Sequence, residues 1–265
     1  MKVPVYSMNG KVKGSLKVDK AFSNPVRNDL IQRAVLAEQS KLIQAYGSDP
    51  QAGKRTSAHY HGRRGRRMTM MNRELARMAR IHGSGGLHMR ARFVPQAVKG
   101  RKAHPPKAEK NWVIKINKKE RIKALLSAAS ASSKKEMVEK RGHILEGVKH
   151  VPLVVEDKMQ DLKKVKEVKE TLEKLGLKKE LERVKERKVR AGRGTTRGRK
   201  YKVKKGPLLV VGKDNGITKA ARNLSGVEIV EADNLNVSML APGIQPGRLC
   251  LWTESAVKKM EGLGD

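Results

Sequence analysis

Cysteine is nearly absent: the 265-residue sequence contains one, Cys250. A lone thiol excludes an intrachain disulfide and any zinc site built from several cysteines, and it suits a reducing compartment. Aromatic residues are scarce too, at 3 %, which counts against modules that read single-stranded bases on aromatic platforms. No run approaches the eighteen or more apolar residues of a spanning helix, and the opening "MKVPVYSMNG" lacks the apolar core of a signal peptide. A cytoplasmic chain with no membrane partner is therefore expected. Acidic residues are the remaining shortage: 26 Asp and Glu stand against 60 Lys and Arg, a formal charge of +34. Such a chain repels itself unless a polyanion neutralises it, and nucleic acid is the default polyanion.

The charge is concentrated. Residues 55–106 hold thirteen Lys and Arg and a single acid, Glu74, and residues 187–213 hold eleven and none. Less than a third of the chain carries about two thirds of the net charge, while the rest mixes both signs as an ordinary solvated surface does. The 38 % of apolar residues is enough for a real core at this length.

Periodicity divides the chain. "VPVYSMNGKVKGSLKV" alternates around Asn9-Gly10 and reads as a hairpin. "NPVRNDLIQRAVLAEQSKLIQAYG" reads as a helix capped by Asn24, opened by Pro25 and closed by Gly47, with Val26, Leu30, Ile31, Ala34 and Val35 on one face. Between Gly47 and Pro106 both periodicities fade, which predicts an extended loop of about 60 residues, with a short helix at most in "TMMNRELARMARIHG". "NKKERIKALLSAASASSKKEMVEKRG" predicts two helices with capping boxes at Asn117/Glu120 and Ser133/Glu136 and a stop at Gly142. A buried strand is expected in "VPLVVED". A helix breaking at Gly176 should follow, with Leu162, Val165, Leu172 and Leu175 on one side. From "GPLLVVG" onward strands alternate with helices, and the strands are continuous apolar runs. The expected fold is α/β: a parallel sheet flanked by helices, residues 1–46 and 107–265, interrupted by the long basic loop 47–106.

Catalytic signatures are weak or absent in the sequence. "GSGG" at Gly83–Gly86 and "GRGTTRG" at Gly192–Gly198 match neither G-x-G-x-x-G after a strand nor G-x-x-x-x-G-K-[ST]. His59, His61, His82 and His88 have no Cys, Asp or Glu nearby to complete a ligand set, so they read as solvated or phosphate-contacting rings and no metal is expected. Cys250 sits in the apolar "RLCLW" and reads as a packed core thiol. Phosphodiester chemistry needs clustered carboxylates or metal ligands, and the basic loop offers Glu74 alone. An RNA-processing enzyme on the parallel sheet would rest on Asp214 in "LLVVGKDNG", the one weak candidate. No catalytic residue or cofactor is expected.

Arginine and glycine together describe a fitted extension: the guanidinium fork matches phosphate oxygens, and glycine admits close approach and positive φ. Shape and backbone recognition of folded RNA is favoured over a flexible basic arm, because the loop is interspersed with His, Met and Pro. The expected RNA-binding residues are Lys54, Arg55, Arg63, Arg64, Arg66, Arg67, Arg73, Arg77, Arg80, Arg90, Arg92, Lys99, Arg101 and Lys102 in the loop. Arg190, Arg193, Arg197, Arg199, Lys200 and Lys202 form a second block.

Three blocks, "RARFVPQAVKGRKAHPPK" (90–107), "RAGRGTTRGRKY" (190–201) and "LAPGIQPGRLCLWTESA" (240–256), resemble the archaeal and eukaryotic type of the fourth universal large-subunit ribosomal protein family, over essentially the whole chain. The resemblance implies a non-enzymatic constituent of the large subunit. Its globular α/β part would sit on the outside of the large subunit, and its loop would thread inward through ribosomal RNA to the nascent-peptide exit tunnel, beside a neighbouring ribosomal protein at the constriction. Carried onto this chain, the tunnel-lining candidates are Tyr60, His61, Arg63, Arg64, Arg66, Arg67 and Met68. The returning arm from Arg90 to Lys102, and the block around Arg193 to Lys200, would lie on RNA. Thr195 and Thr196 depart from the basic or bulky residues frequent in relatives, which leaves their roles open.

Overall fold

A computed structural model describes residues 1–263. It divides into two compact units, residues 1–41 with 113–265 and residues 42–112. The first unit is built on a six-stranded sheet in the order β2-β1-β3-β8-β6-β7. Its strands are β1 (Lys2–Tyr6), β2 (Val12–Lys17), β3 (Leu153–Val155), β6 (Leu208–Val211), β7 (Glu228–Glu231) and β8 (Cys250–Thr253). The β1–β2 pair is antiparallel, joined at Asn9-Gly10 with Gly10 at φ +76°, and every other pairing is parallel.

The three central strands β3, β8 and β6 are buried at every residue, as their unbroken apolar sequences predict. Alternation within them divides the interior in two. Val154, Leu208, Val210, Cys250 and Trp252 point to one face. There they meet helices α1 (Asn28–Ser40), α2 (Lys118–Ser132), α7 (Val237–Leu240) and α8 (Glu254–Gly262). Leu153, Val155, Leu209, Val211 and Leu251 point to the other, against α3 (Lys135–Lys140), α4 (Val165–Lys174), α5 (Lys178–Lys185) and α6 (Ile217–Ala221). Trp252 is fully buried and meets Phe22 edge-on at 5.4 Å between centroids.

Several boundaries differ from the sequence reading. Helix α1 starts at Asn28, not after Asn24, whose side chain donates to Lys20 O at 2.6 Å. The preceding residues are instead held by α2: the Ser127 hydroxyl accepts from Arg27 N and donates to Pro25 O, while Ser130 donates to Phe22 O and Asn24 O. The helix ends at Ser40 rather than Gly47, where the Ser40 hydroxyl donates to Ala37 O and accepts from Ile114 N. Neither capping box forms. Glu120 pairs with Arg33 at 2.9 Å, and α3 opens after Lys134 because the Ser133 hydroxyl turns back to Ser130 O. Val165 begins α4 with 37 % of its surface exposed, and Val168 takes the buried position instead.

A buried charge cluster fastens α5. Glu180, fully buried, accepts from Arg183 through two bonds of 2.7 and 2.8 Å, from the Ile144 amide at 3.0 Å, and contacts His143 Nδ1 at 2.6 Å. On the opposite side Arg248 is equally buried, donating to Glu228 at 2.6 Å, Gly206 O and Met239 O.

Candidate nucleic-acid interface

The second unit, Leu42–Trp112, contains neither helix nor strand. The short helix allowed for residues 69–83 does not form; Asn72 there has φ +54°, and the backbone bonds run between limbs of the chain. His59 and Arg80 pair antiparallel, Arg80 in turn pairs with Ala91, and Met70 N bonds His61 O at 3.0 Å. At the base, Ser48 N donates to Pro106 O at 3.0 Å. Met70 is the one buried residue among the described residues of this unit. Met68, Asn72, Met89, Phe93 and Lys99 all hold positive φ between 54° and 70°, a region costly for residues with a Cβ. Neither an apolar interior nor local preference thus explains the path of this segment.

The Lys and Arg of residues 54–102 fall into two groups. Arg63, Arg64, Arg66, Arg67, Arg73, Arg77, Arg90, Lys54, Lys99 and Lys102 are exposed. No carboxylate among the described residues comes within ion-pair distance of these ten. The other group is committed internally, which the sequence did not reveal. Arg80 donates to Met89 O at 2.8 Å and Ala76 O at 3.1 Å, Arg92 donates to Val98 O at 2.8 Å, and Arg55 pairs with Asp49 at 2.5 Å. Arg101 stands apart from both: it is half-buried, and its backbone amide donates to Phe93 O. Arginine here fastens the loop's limbs to one another where a core residue would do so elsewhere.

The second basic block forms an exposed hairpin, β4 (Arg187–Val189) against β5 (Tyr201–Val203). Its tip presents Arg193, Arg197, Arg199, Lys200 and Lys202 to solvent, with Arg190 half-buried and its Nε donating to Arg199 O. Thr195 and Thr196 acquire a role: their hydroxyls donate to Arg190 O at 2.5 Å and Arg193 O at 2.9 Å, fixing the turn between Gly192 and Gly198, both at positive φ. An isolated two-stranded hairpin is marginal in water, so one bond matters. Thr195→Val removes about 1 kcal/mol of local stability, and amide exchange at Arg190, bonded to Lys200 O, should accelerate about fivefold with the melting temperature of the globular unit unchanged.

Cys250 and Asp214 are structural. Burial pushes the Cys250 thiol up to about 12, so it is not a nucleophile at neutral pH. Asp214 caps the start of α6: its Oδ1 accepts from Gly216 N at 3.0 Å and Thr218 N at 3.2 Å, and the bonding from Thr218 holds the carboxyl below its ordinary range. The carboxyl end of a parallel sheet, where α/β folds bind ligands, is filled here. Gln160 bonds Thr253, Ser255 and the Lys213 amide, Asp157 bonds Ser255, and a Cβ on Gly212 would meet Ser255 Oγ at 2.1 Å. Among the histidines, the structure brings His59, His61 and His82 together; His88 turns away to Gly83 O.

The sheet end is filled, and the exposed cations gather in two segments. In comparison with known sequences, residues 16–263 match the sequence model of the ribosomal protein L4/L1 family. The chain belongs to that family. It is 43 % identical over 263 residues to the large ribosomal subunit protein uL4 of Methanosphaera stadtmanae, covering 99 % of this chain and 97 % of the relative. The proteins of the same name from Methanopyrus kandleri and Nanoarchaeum equitans are 45 % and 46 % identical over 262 and 264 residues, with at least 97 % of each chain covered.

An L4/L1-family chain is a ribosomal structural protein and not an enzyme. Of the three blocks that carry the resemblance, two lie in the exposed cationic segments, and the third, residues 240–256, is mostly interior. It supplies Arg248, Cys250 and Trp252 to the centre of the sheet.

Proposed function

We propose that this ribosomal protein of the large subunit binds ribosomal RNA through two surfaces, the exposed cations of residues 54–102 and the 187–203 hairpin. It thereby ties distant RNA segments together during assembly. The observation that carries this reading is the ten exposed loop cations without a carboxylate partner, on a backbone with one buried residue and five left-handed positions outside glycine. Ordering such a segment costs on the order of 1 to 2 kcal/mol per residue in backbone entropy. Phosphate pairing with counterion release is the compensating term available to it.

The tip from Tyr60 to Met68 is the part proposed to line the peptide exit tunnel, beside a neighbouring ribosomal protein and the nascent peptide. Tyr60 and the four arginines Arg63, Arg64, Arg66 and Arg67 are exposed, as a lining surface requires. The ribosome is cytoplasmic, and the protein with it.

Amide exchange tests the coupling of order to RNA. In metal-free, RNA-free protein residues 55–100 should exchange within seconds, while the buried strands β3, β6 and β8 stay protected; in assembled subunits the loop should be protected too. Protection of the loop in the free protein would overturn the reading. Crosslinking of residues 60–72 to a stalled nascent chain tests the tunnel assignment, and its absence from every tip position would remove it.

A further inference from the structure

His59, His61 and His82 each place one ring nitrogen within 4.8 Å of those of the other two, and their ring centroids stand 4.2 to 4.5 Å apart. Hydrogen bonding fixes which nitrogens carry protons. Nδ1 of His59 faces Ser57 O at 3.0 Å and Nδ1 of His61 faces Arg67 O at 3.3 Å. A carbonyl only accepts, so both protons sit on Nδ1 and both Nε2 atoms present lone pairs. His82 is the reverse: Nε2 faces His59 O at 3.2 Å, while Nδ1 is shielded from solvent and has no partner. The lone-pair nitrogens of His59 and His61 are in contact with one another. In the neutral rings two acceptors cannot satisfy each other, and a third stands unsatisfied on the neighbouring ring. The arrangement calls for an electrophile.

We propose that His59, His61 and His82 form a zinc site, with water as the fourth ligand. Three imidazoles and a water make a complete tetrahedral zinc set, with no cysteine or carboxylate needed. Zinc–nitrogen distances of about 2.0 Å place ligand nitrogens about 3.3 Å apart, so ring shifts of roughly an ångström reach coordination from the present spacing. Each ring already has its outer N–H held by a backbone carbonyl, the support that orients metal-ligating histidines and fixes their tautomer. Read from the sequence, these histidines lack a Cys, Asp or Glu to complete a ligand set; the fold supplies the third imidazole from the returning limb, 21 residues after His61.

The ion would cross-link two limbs that otherwise share a pair of backbone bonds at His59 and Arg80. It would also add positive charge to a segment that is already cationic. If the RNA reading above holds, neutralisation by phosphate should tighten zinc binding, and zinc should tighten RNA binding by the same factor.

The test is titration of the full-length, chelator-stripped protein with Zn2+ by calorimetry and with Co2+ by visible absorption, each with and without large-subunit RNA. One equivalent should bind, with the intense bands of tetrahedral cobalt. His82→Ala should weaken it at least about tenfold, and His104→Ala should leave it unchanged. No saturable binding in either state, or equal binding by the His59→Ala/His61→Ala/His82→Ala triple variant, would overturn the site. RNA affinity measured in chelator separates the two ideas: RNA binding without metal binding removes the zinc site alone, and metal binding without RNA binding removes the RNA reading alone.

Discussion

Replacing Arg63, Arg64, Arg66 and Arg67 together by Gln should lower affinity for large-subunit RNA about a hundredfold at low salt, and reduce the slope of log K against log salt by about three. All four side chains are exposed and none has a carboxylate partner among the described residues, so the substitution removes no internal bond. Each phosphate neutralised releases condensed counterions, and the slope counts those contacts. Arg80 and Arg92 provide the contrast. Their guanidinium groups hold carbonyls of the same segment, so Arg80→Gln should loosen the loop's limbs while changing the slope by about one or less. Filter binding or fluorescence anisotropy from 50 to 400 mM salt reads both. A quadruple variant with the wild-type slope would mean that the tip does not touch phosphate.

The second large effect concerns Glu180. Burial by itself raises its carboxyl, but the Arg183 fork, His143 and the Ile144 amide outweigh it and hold it at about 2, from an ordinary 4.5. The folded form therefore prefers the carboxylate. Its contribution is fully present above about pH 4.5, diminishes as pH falls, and is gone below about 2. A shift of this size corresponds to about 3 kcal/mol. Glu180→Ala should be worse than acid, since it leaves Arg183 and His143 without their shared acceptor in a buried setting, at about 3 to 5 kcal/mol. For a unit of this size that is a fall of roughly ten degrees in melting temperature. Urea unfolding followed at Trp252, repeated between pH 2 and 7, should show the wild-type stability falling through this window and the variant lacking that part of the dependence. Parallel curves for the two would show that another group carries it.

These effects sit in regions of unequal legibility. The parallel sheet was readable because β3, β6 and β8 are buried on both faces and their sequences, LVV, LLVV and CLWT, are short runs without a charged residue. Helix limits were not. Asn24, Glu120 and Ser133 carry capping chemistry, but in the folded chain each finds a different partner: Lys20 O, Arg33 and Ser130 O. A capping motif states what a side chain can bond locally, and tertiary neighbours outcompete it at little cost. The basic residues show the same division. Composition marked residues 55–106 as cationic, but could not separate Arg63 from Arg80, which differ only in whether a carbonyl from another limb lies within reach.

Composition and pattern alone determined that this is a cationic α/β protein with a buried parallel sheet, without disulfides, whose charge gathers in two segments with little apolar content. Those properties are sums over residues, or local periods, and survive any arrangement of the chain. Which arginines are spent holding the loop together, that Thr195 ties a hairpin, that Glu180 anchors α5 among buried charges, and that His59 and His61 meet His82 were decided only on folding. Each depends on a distance between residues far apart in sequence, and such distances are set by the packing of the whole.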